Sequence, residues 1–189
     1  MTKPPKRAEV LAQLVRSHRW TSGAELGVLH GHTTRHLLKT CPALRMLAVD
    51  TWQPGDPALD TPDNGQRRTT ADNGYRSYAD VDMDAAHRGV LDIAGEFPRR
   101  LQIMRMPTWQ AAELVPSASL CFVFVDADHT AEGVERDIRA WAHTLKPNGW
   151  LLGHDWDHHS VASVIDRLLP WHDRLEGAVW AIPMEDVRL

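Results

Sequence analysis

Several things are scarce in this sequence, and each scarcity closes a door. Only two cysteines occur, Cys41 and Cys121; they form no CxxC pair and supply no disulfide framework. Cys121 sits inside an apolar run, which reads as a buried thiol, and both suit a reducing cytoplasm. No apolar run approaches the ~20 residues that a bilayer span requires. The opening RAEVLAQLVRSHRW is charged and helix-like rather than a secretion signal. Basic charge is not in excess: the net charge of -4 argues against a broad nucleic-acid or acidic-membrane surface. Internal repeats are absent, and so is the GxGxxG fingerprint of dinucleotide sites. What remains is an ordinary globular composition, 43% hydrophobic over 189 residues, enough for one domain with its own core.

Strand-like runs alternate with helical periods. Val10, Leu11, Leu14 and Val15 share one face of a first helix. GAELGV reads as a strand entering a glycine turn, and TTRHLLKT as a helix stopped before Pro42. LRMLAVDTW, RLQIMRM and LCFVFVDAD follow as strands, the last apolar enough to be covered on both faces. Val134, Ile138, Trp141 and Leu145 form a helical stripe that ends at Lys146-Pro147-Asn148-Gly149, ahead of a strand in WLLGHDW. Ser160 is placed to cap a further helix halted at Pro170, and GAVWAI closes as a strand. This order predicts an α/β fold, an open and mostly parallel sheet with helices on both faces. One stretch breaks the rhythm: residues 53–88 are polar and turn-rich, and read as a lid or an insertion.

The first strand runs into Glu25-Leu26-Gly27-Val28-Leu29-His30-Gly31-His32-Thr33. In such a sheet the first strand-to-helix turn grips the ligand, with glycines admitting it closely and helix N–H groups facing it. An acid this near the turn suits a ligand bearing a cation better than a pyrophosphate. Asp50 ends the second strand, where a carboxylate accepts ribose hydroxyls. AELGVLHGHTT, LAVDTW, CFVFVDADHTAEGVERDIRAWAHTLKPNGWLLGHDW and VWAI, in that order, resemble class I S-adenosylmethionine-dependent methyltransferases of Rossmann-like type. The similar branch is that of small-molecule O-methyltransferases of natural-product and sugar pathways, related to the metal-dependent catechol type. The resemblance covers about three-quarters of the chain and has no clear counterpart between Gln53 and about Glu96.

The resemblance implies S-adenosylmethionine as cofactor. Glu25, Gly27, Gly31 and Thr33 would hold its methionine end. Asp50, with Thr51 and Trp52, would take the ribose, and Met106, Thr108 and Trp109 would lie near the adenine, with Asp126 closing the pocket. Acids at the positions of Asp126 and Asp155 hold a divalent ion, typically magnesium, in metal-dependent relatives. The catechol type follows its second acid with Asn, whereas Trp156 stands here. His154, Asp157, Asp128 or His129 is then left to complete a metal shell, with the imidazoles favouring zinc, manganese or nickel, or no metal binds. His129 is the candidate general base and Asp126 its catalytic companion. Trp52, Trp109 and Trp156 all follow strand ends and are expected to converge on one rim, whereas Trp141 and Trp180 read as core.

The expected activity is methyl transfer to a hydroxyl of a small molecule, with the 53–88 segment closing over it through Arg67, Arg68, Tyr75 and Tyr78. A metal-dependent hydrolase built on DADH and HDWDHH is one alternative, and a cofactor-binding scaffold without transfer chemistry is another. A short domain with an exposed first helix also leaves a homodimer open.

Overall fold

The computed structural model describes residues 6–53 and 81–189. In chain order these form α1 (Lys6–Ser17), β1 (Ser22–Leu26), α2 (His32–Thr40), β2 (Arg45–Asp50), α3 (Met83–Glu96), β3 (Leu101–Arg105) and α4 (Thr108–Ala112). There follow β4 (Leu120–Val125), α5 (Ala131–Trp141), β5 (Leu145–Gly153), α6 (His159–Leu168), β6 (Asp173–Arg174) and β7 (Trp180–Pro183). The strands make one sheet in the order β3-β2-β1-β4-β5-β7-β6. β1 to β5 pair in parallel, and β7 runs antiparallel to both of its neighbours. Chain order reverses between β1 and β4, so the crevice beyond their carboxyl ends is where a ligand is expected.

β4 explains why the sheet is covered on both faces. Successive side chains on a strand point to opposite sides. Val123 and Val125 enter one cluster with Val134, Ile138, Trp141, Val161, Ile165 and Trp180, whereas Phe122 and Phe124 enter the other with Leu11, Val15, Leu37 and Leu38. Each such side chain contributes about 1.5–3 kcal/mol on burial. Trp141 and Trp180 are fully buried, as their positions in the sequence suggest.

Several expectations need correction. The tail of the polar segment is not loop: Asp82 caps α3 by accepting the Ala85 N–H at 2.8 Å, and Ala86, Val90 and Ile93 are buried along one face. Residues 54–80 of the segment, Arg67, Arg68, Tyr75 and Tyr78 among them, lie outside the described residues. The helix on the Val134–Leu145 stripe ends at Trp141, and β5 already begins at Leu145. α6 starts at His159, and the Ser160 hydroxyl donates to the His129 carbonyl at 2.5 Å rather than capping the helix. Cys121 is only half-buried; it lines a groove of about 520 Å3 at the amino ends of the strands, with Lys146 Nζ 3.4 Å from its sulfur. Among the described residues no helix is long and apolar enough to cross a membrane.

Candidate functional site

Gly27 follows β1 with φ 82°, and a Cβ there would fall 2.1 Å from the Asp126 carbonyl oxygen. Only glycine satisfies both the backbone angle and this approach, so the turn lies directly against the end of β4. The turn is tied to β2 through Asp50. Its Oδ2 accepts the N–H groups of Val28 at 2.8 Å and Leu29 at 2.9 Å, and its Oδ1 accepts the Trp52 N–H at 2.8 Å. Trp52 completes the knot. Its backbone is left-handed at φ 45°, its ring is buried against Val28, Ala48, Ala86 and Val90, and its indole N–H donates to Leu29 O at 2.8 Å.

Glu25 is 2% exposed and accepts hydrogen bonds from the Thr34 hydroxyl and the Thr34 backbone N–H. Burial pushes its pKa up to about 8, against the pull of those bonds. Burial therefore favours its neutral form. Thr33 is buried beside it, and Gly31 at φ 70° starts α2. On the β3 side, the Met106 N–H donates to Asp50 O at 3.0 Å, and the Thr51 carbonyl accepts from Arg105 Nε at 3.3 Å. The Thr108 hydroxyl donates to Asp137 Oδ1 at 2.6 Å, and its carbonyl accepts the Trp141 indole N–H at 3.0 Å.

The carboxyl ends of β1, β4 and β5 are zipped together by Asp126 N–H to Leu26 O at 2.8 Å and His154 N–H to Val125 O at 3.0 Å. Asp155 then adopts φ 59°, a conformation that aspartate tolerates better than most residues. This angle turns its carboxylate inward. His129 Nε2 lies 2.7 Å from Asp155 Oδ2 and 3.8 Å from Asp126 Oδ1. His154 Nδ1 lies 3.1 Å from Asp155 Oδ2 and 3.4 Å from Asp126 Oδ1. Burial lowers both imidazole pKa values, but the carboxylates win: His129 is held above its ordinary value and His154 is pushed up to about 9. Burial raises Asp155, and the two histidines more than reverse that, holding it well below the usual carboxylate range.

Asp126, His154 and Asp155 offer one ligand atom each, all within 4.8 Å of one another. Two carboxylates and an imidazole fit a divalent ion such as magnesium or manganese. Of the other candidates for this shell, His129 stands beside Asp155, and the two remaining acids are placed elsewhere. Asp128 accepts the Thr130 N–H at 2.8 Å and pairs with Arg136 at 3.7 Å, and Asp157 is exposed.

The three rim tryptophans do not converge. β2 and β5 have β1 and β4 between them, so Trp52 and Trp156 follow strands about 14 Å apart. Trp156 packs under Arg174, and its indole N–H donates to Leu175 O at 3.1 Å; Trp109 lies beneath Arg136. Two residues at the site were invisible in the sequence. Arg7 reaches from α1 to within 3.6 Å of Asp126, and Asp137 comes from the middle of α5; neither belongs to a motif, and helical spacing alone gave no signal for them.

A methyltransferase-domain family model matches residues 24–156, which takes in the glycine turn and the Asp126–Asp155 cluster. No curated protein matches the chain by sequence. Among solved structures, a candidate caffeoyl-CoA O-methyltransferase from Staphylococcus aureus is 12% identical over 97% of this chain and 85% of its own, with a TM-score of 0.62. A methyltransferase from Geobacter sulfurreducens is 13% identical over 97% and 80%, with a TM-score of 0.59. The O-methyltransferase TomG from Streptomyces achromogenes, which is involved in tomaymycin synthesis and was solved with S-adenosylmethionine, is 11% identical over 97% and 81%, with a TM-score of 0.58. The chain therefore belongs to the methyltransferase-domain family and has the class I fold of S-adenosylmethionine-dependent methyltransferases.

Proposed function

We propose that this methyltransferase moves the methyl group of S-adenosylmethionine to a hydroxyl of a small molecule, with a divalent ion held by Asp126, Asp155 and His154. One observation carries the reading: a cluster of two carboxylates and two imidazoles sits directly against the glycine turn, because Gly27 packs on Asp126. The sulfonium of the cofactor supplies an already activated methyl group, so the protein's task is alignment and removal of a proton.

Each group has a role in that task. Glu25 and Thr33 face the amino-acid end of the cofactor, with Gly27 and Gly31 clearing the approach. Asp50 uses three of about four lone-pair directions on backbone N–H groups, leaving one on Oδ1 for a ribose hydroxyl. Thr51 and Trp52 shape that wall, and Met106, Thr108 and Trp109 border the adenine. His129 Nδ1 takes the acceptor's proton, while Asp155, 2.7 Å from Nε2 on the other side of the ring, orients the imidazole and stabilises the imidazolium. A bound ion would lower the pKa of the acceptor hydroxyl. The His129–Asp155 contact also favours a second reading in which general-base chemistry suffices without metal. Natural-product and sugar hydroxyls are the acceptors proposed, and two free thiols suit the reducing cytoplasm. The hydrolase alternative is set aside, since the family match takes in Asp126, Asp128, His129, His154 and Asp155, the inner part of the two runs on which it rested.

The test is release of S-adenosylhomocysteine from S-adenosylmethionine against a panel of catechols, sugars and phenolic natural products. Turnover stimulated by magnesium or manganese and abolished by chelation supports the metal-assisted form. Turnover indifferent to chelation supports the base-only form. No turnover, together with no binding of S-adenosylhomocysteine, would refute both.

A further inference from the structure

Arg7 lies outside the family-matched residues, yet its guanidinium reaches the amino-acid end of the site. Its placement is built rather than incidental. α1 is anchored on the sheet by Ala8, Leu11, Ala12 and Val15, all buried. Its first turn is wedged against the turn before β7. Lys6 pairs with Glu176 at 3.3 Å, and Gly177, at φ 67°, leaves room where a Cβ would fall 2.8 Å from the Arg7 nitrogen. From there the side chain crosses the ends of β1 and β4. Arg7 Nε stands 3.4 Å from Thr33 Oγ1 and 3.6 Å from Asp126 Oδ2, and its charge is felt at Glu25.

Several of the glycine turn's own donors are already engaged. Gly27 N–H goes to Val49 O at 2.9 Å and Gly31 N–H to Val28 O at 2.8 Å. The N–H groups of Val28 and Leu29 go to Asp50, and that of Thr34 goes to Glu25. An amino-acid end brings both an ammonium and a carboxylate. Glu25 answers the ammonium, and a carboxylate is answered best by the paired N–H groups of a guanidinium. We propose that Arg7 binds the carboxylate of the cofactor's amino-acid end, exchanging Asp126 for it, while Glu25 takes the ammonium. The exchange swaps one carboxylate partner for another and frees Asp126 for its role at the cluster. This inference rests on the S-adenosylmethionine reading of the site.

The experiment is calorimetric titration of S-adenosylhomocysteine, and of its decarboxylated analogue, into the wild type, Arg7→Leu and Arg7→Lys, with melting curves for all three. The wild type should favour the carboxylate-bearing ligand by about 10- to 100-fold, the worth of a charged hydrogen bond. Arg7→Leu should lose that preference, weakening for S-adenosylhomocysteine and changing little for the analogue. Arg7→Lys should retain part of it, since an ammonium keeps the charge and lacks the fork. Equal weakening for both ligands in Arg7→Leu would overturn the inference, because it would mean that Arg7 only neutralises Asp126 or props the turn. So would a wild type indifferent to the carboxylate. A wild type that binds neither ligand would remove the cofactor reading, and this inference with it.

Discussion

Asp50 and Asp155 both follow parallel strands on the ligand side of the sheet, but they are satisfied by different kinds of donor. Asp50 is held by three backbone N–H groups, from Val28, Leu29 and Trp52. Such donors neither titrate nor leave, so this carboxylate is part of the scaffold even if it also touches a ligand. Asp155 is held by the imidazoles of His129 and His154. Those donors can lose a proton, rotate or give way to a metal ion, so this carboxylate is exchangeable. A third acid, Asp137, is held by the Thr108 hydroxyl on one oxygen, while its other oxygen has no hydrogen-bond partner among the described residues. The kind of donor, more than the burial of the acid, separates framework from chemistry.

The comparison breaks most sharply at His129. His129→Gln should cut the rate of methyl transfer by about 100- to 10,000-fold, the span of general-base effects. Its melting temperature should fall far less than that of a framework variant, as read by calorimetry alongside S-adenosylhomocysteine release. Trp52→Ala is that framework variant: emptying a site 1% exposed costs about 3–5 kcal/mol in denaturant unfolding. Asp50→Ala comes next. Removing the acceptor of three partly buried N–H groups should cost about 2–3 kcal/mol and weaken S-adenosylhomocysteine binding in the same protein. An Asp50→Ala protein of full stability would mean that the turn does not need its knot.

The smallest expected effect concerns Asp137. Burial raises its pKa to about 6 from 3.8, against the Thr108 hydrogen bond and the charge of Arg136. The folded state therefore binds the proton more tightly than the unfolded state does. Its ionisation penalty is fully present above pH 6 and is relieved as pH falls toward 3.8. Asp137→Asn should remove that penalty. The variant should gain on the wild type near neutrality and lose the advantage on acidification, measured by urea unfolding across the window. A constant difference between the two proteins at all pH values would contradict it.

Much of the scaffold was legible in the sequence because its signals are local. The alternation on β4 and the stripe of α5 follow from side-chain period, and Gly27 and the acids at strand ends follow from what a strand-to-helix turn needs. α3 was missed because its buried face is small, with Ala86 between longer residues, and because it adjoins a polar stretch. Trp52 was misread for a different reason. A tryptophan after a strand end faces a rim or folds back into the core depending on its backbone angle, and φ 45° is not written in the residue type. Likewise the HDWDHH run offers several ligands, and it is His154 and Asp155, the latter in a left-handed conformation, that join Asp126.

The sequence by itself determined the alternation of strands and helices, the glycine turn, and the acids at the ends of β2 and β4 and just beyond β5. Those depend on the chemistry of neighbours along the chain. Only the tertiary structure decided which groups meet: Arg7 with Asp126, His129 with Asp155, Thr108 with Asp137, Trp52 with the back of the turn. Such pairs join elements brought together by strand order and register, and a hydrogen bond at 2.7 Å is set by packing that no local pattern encodes.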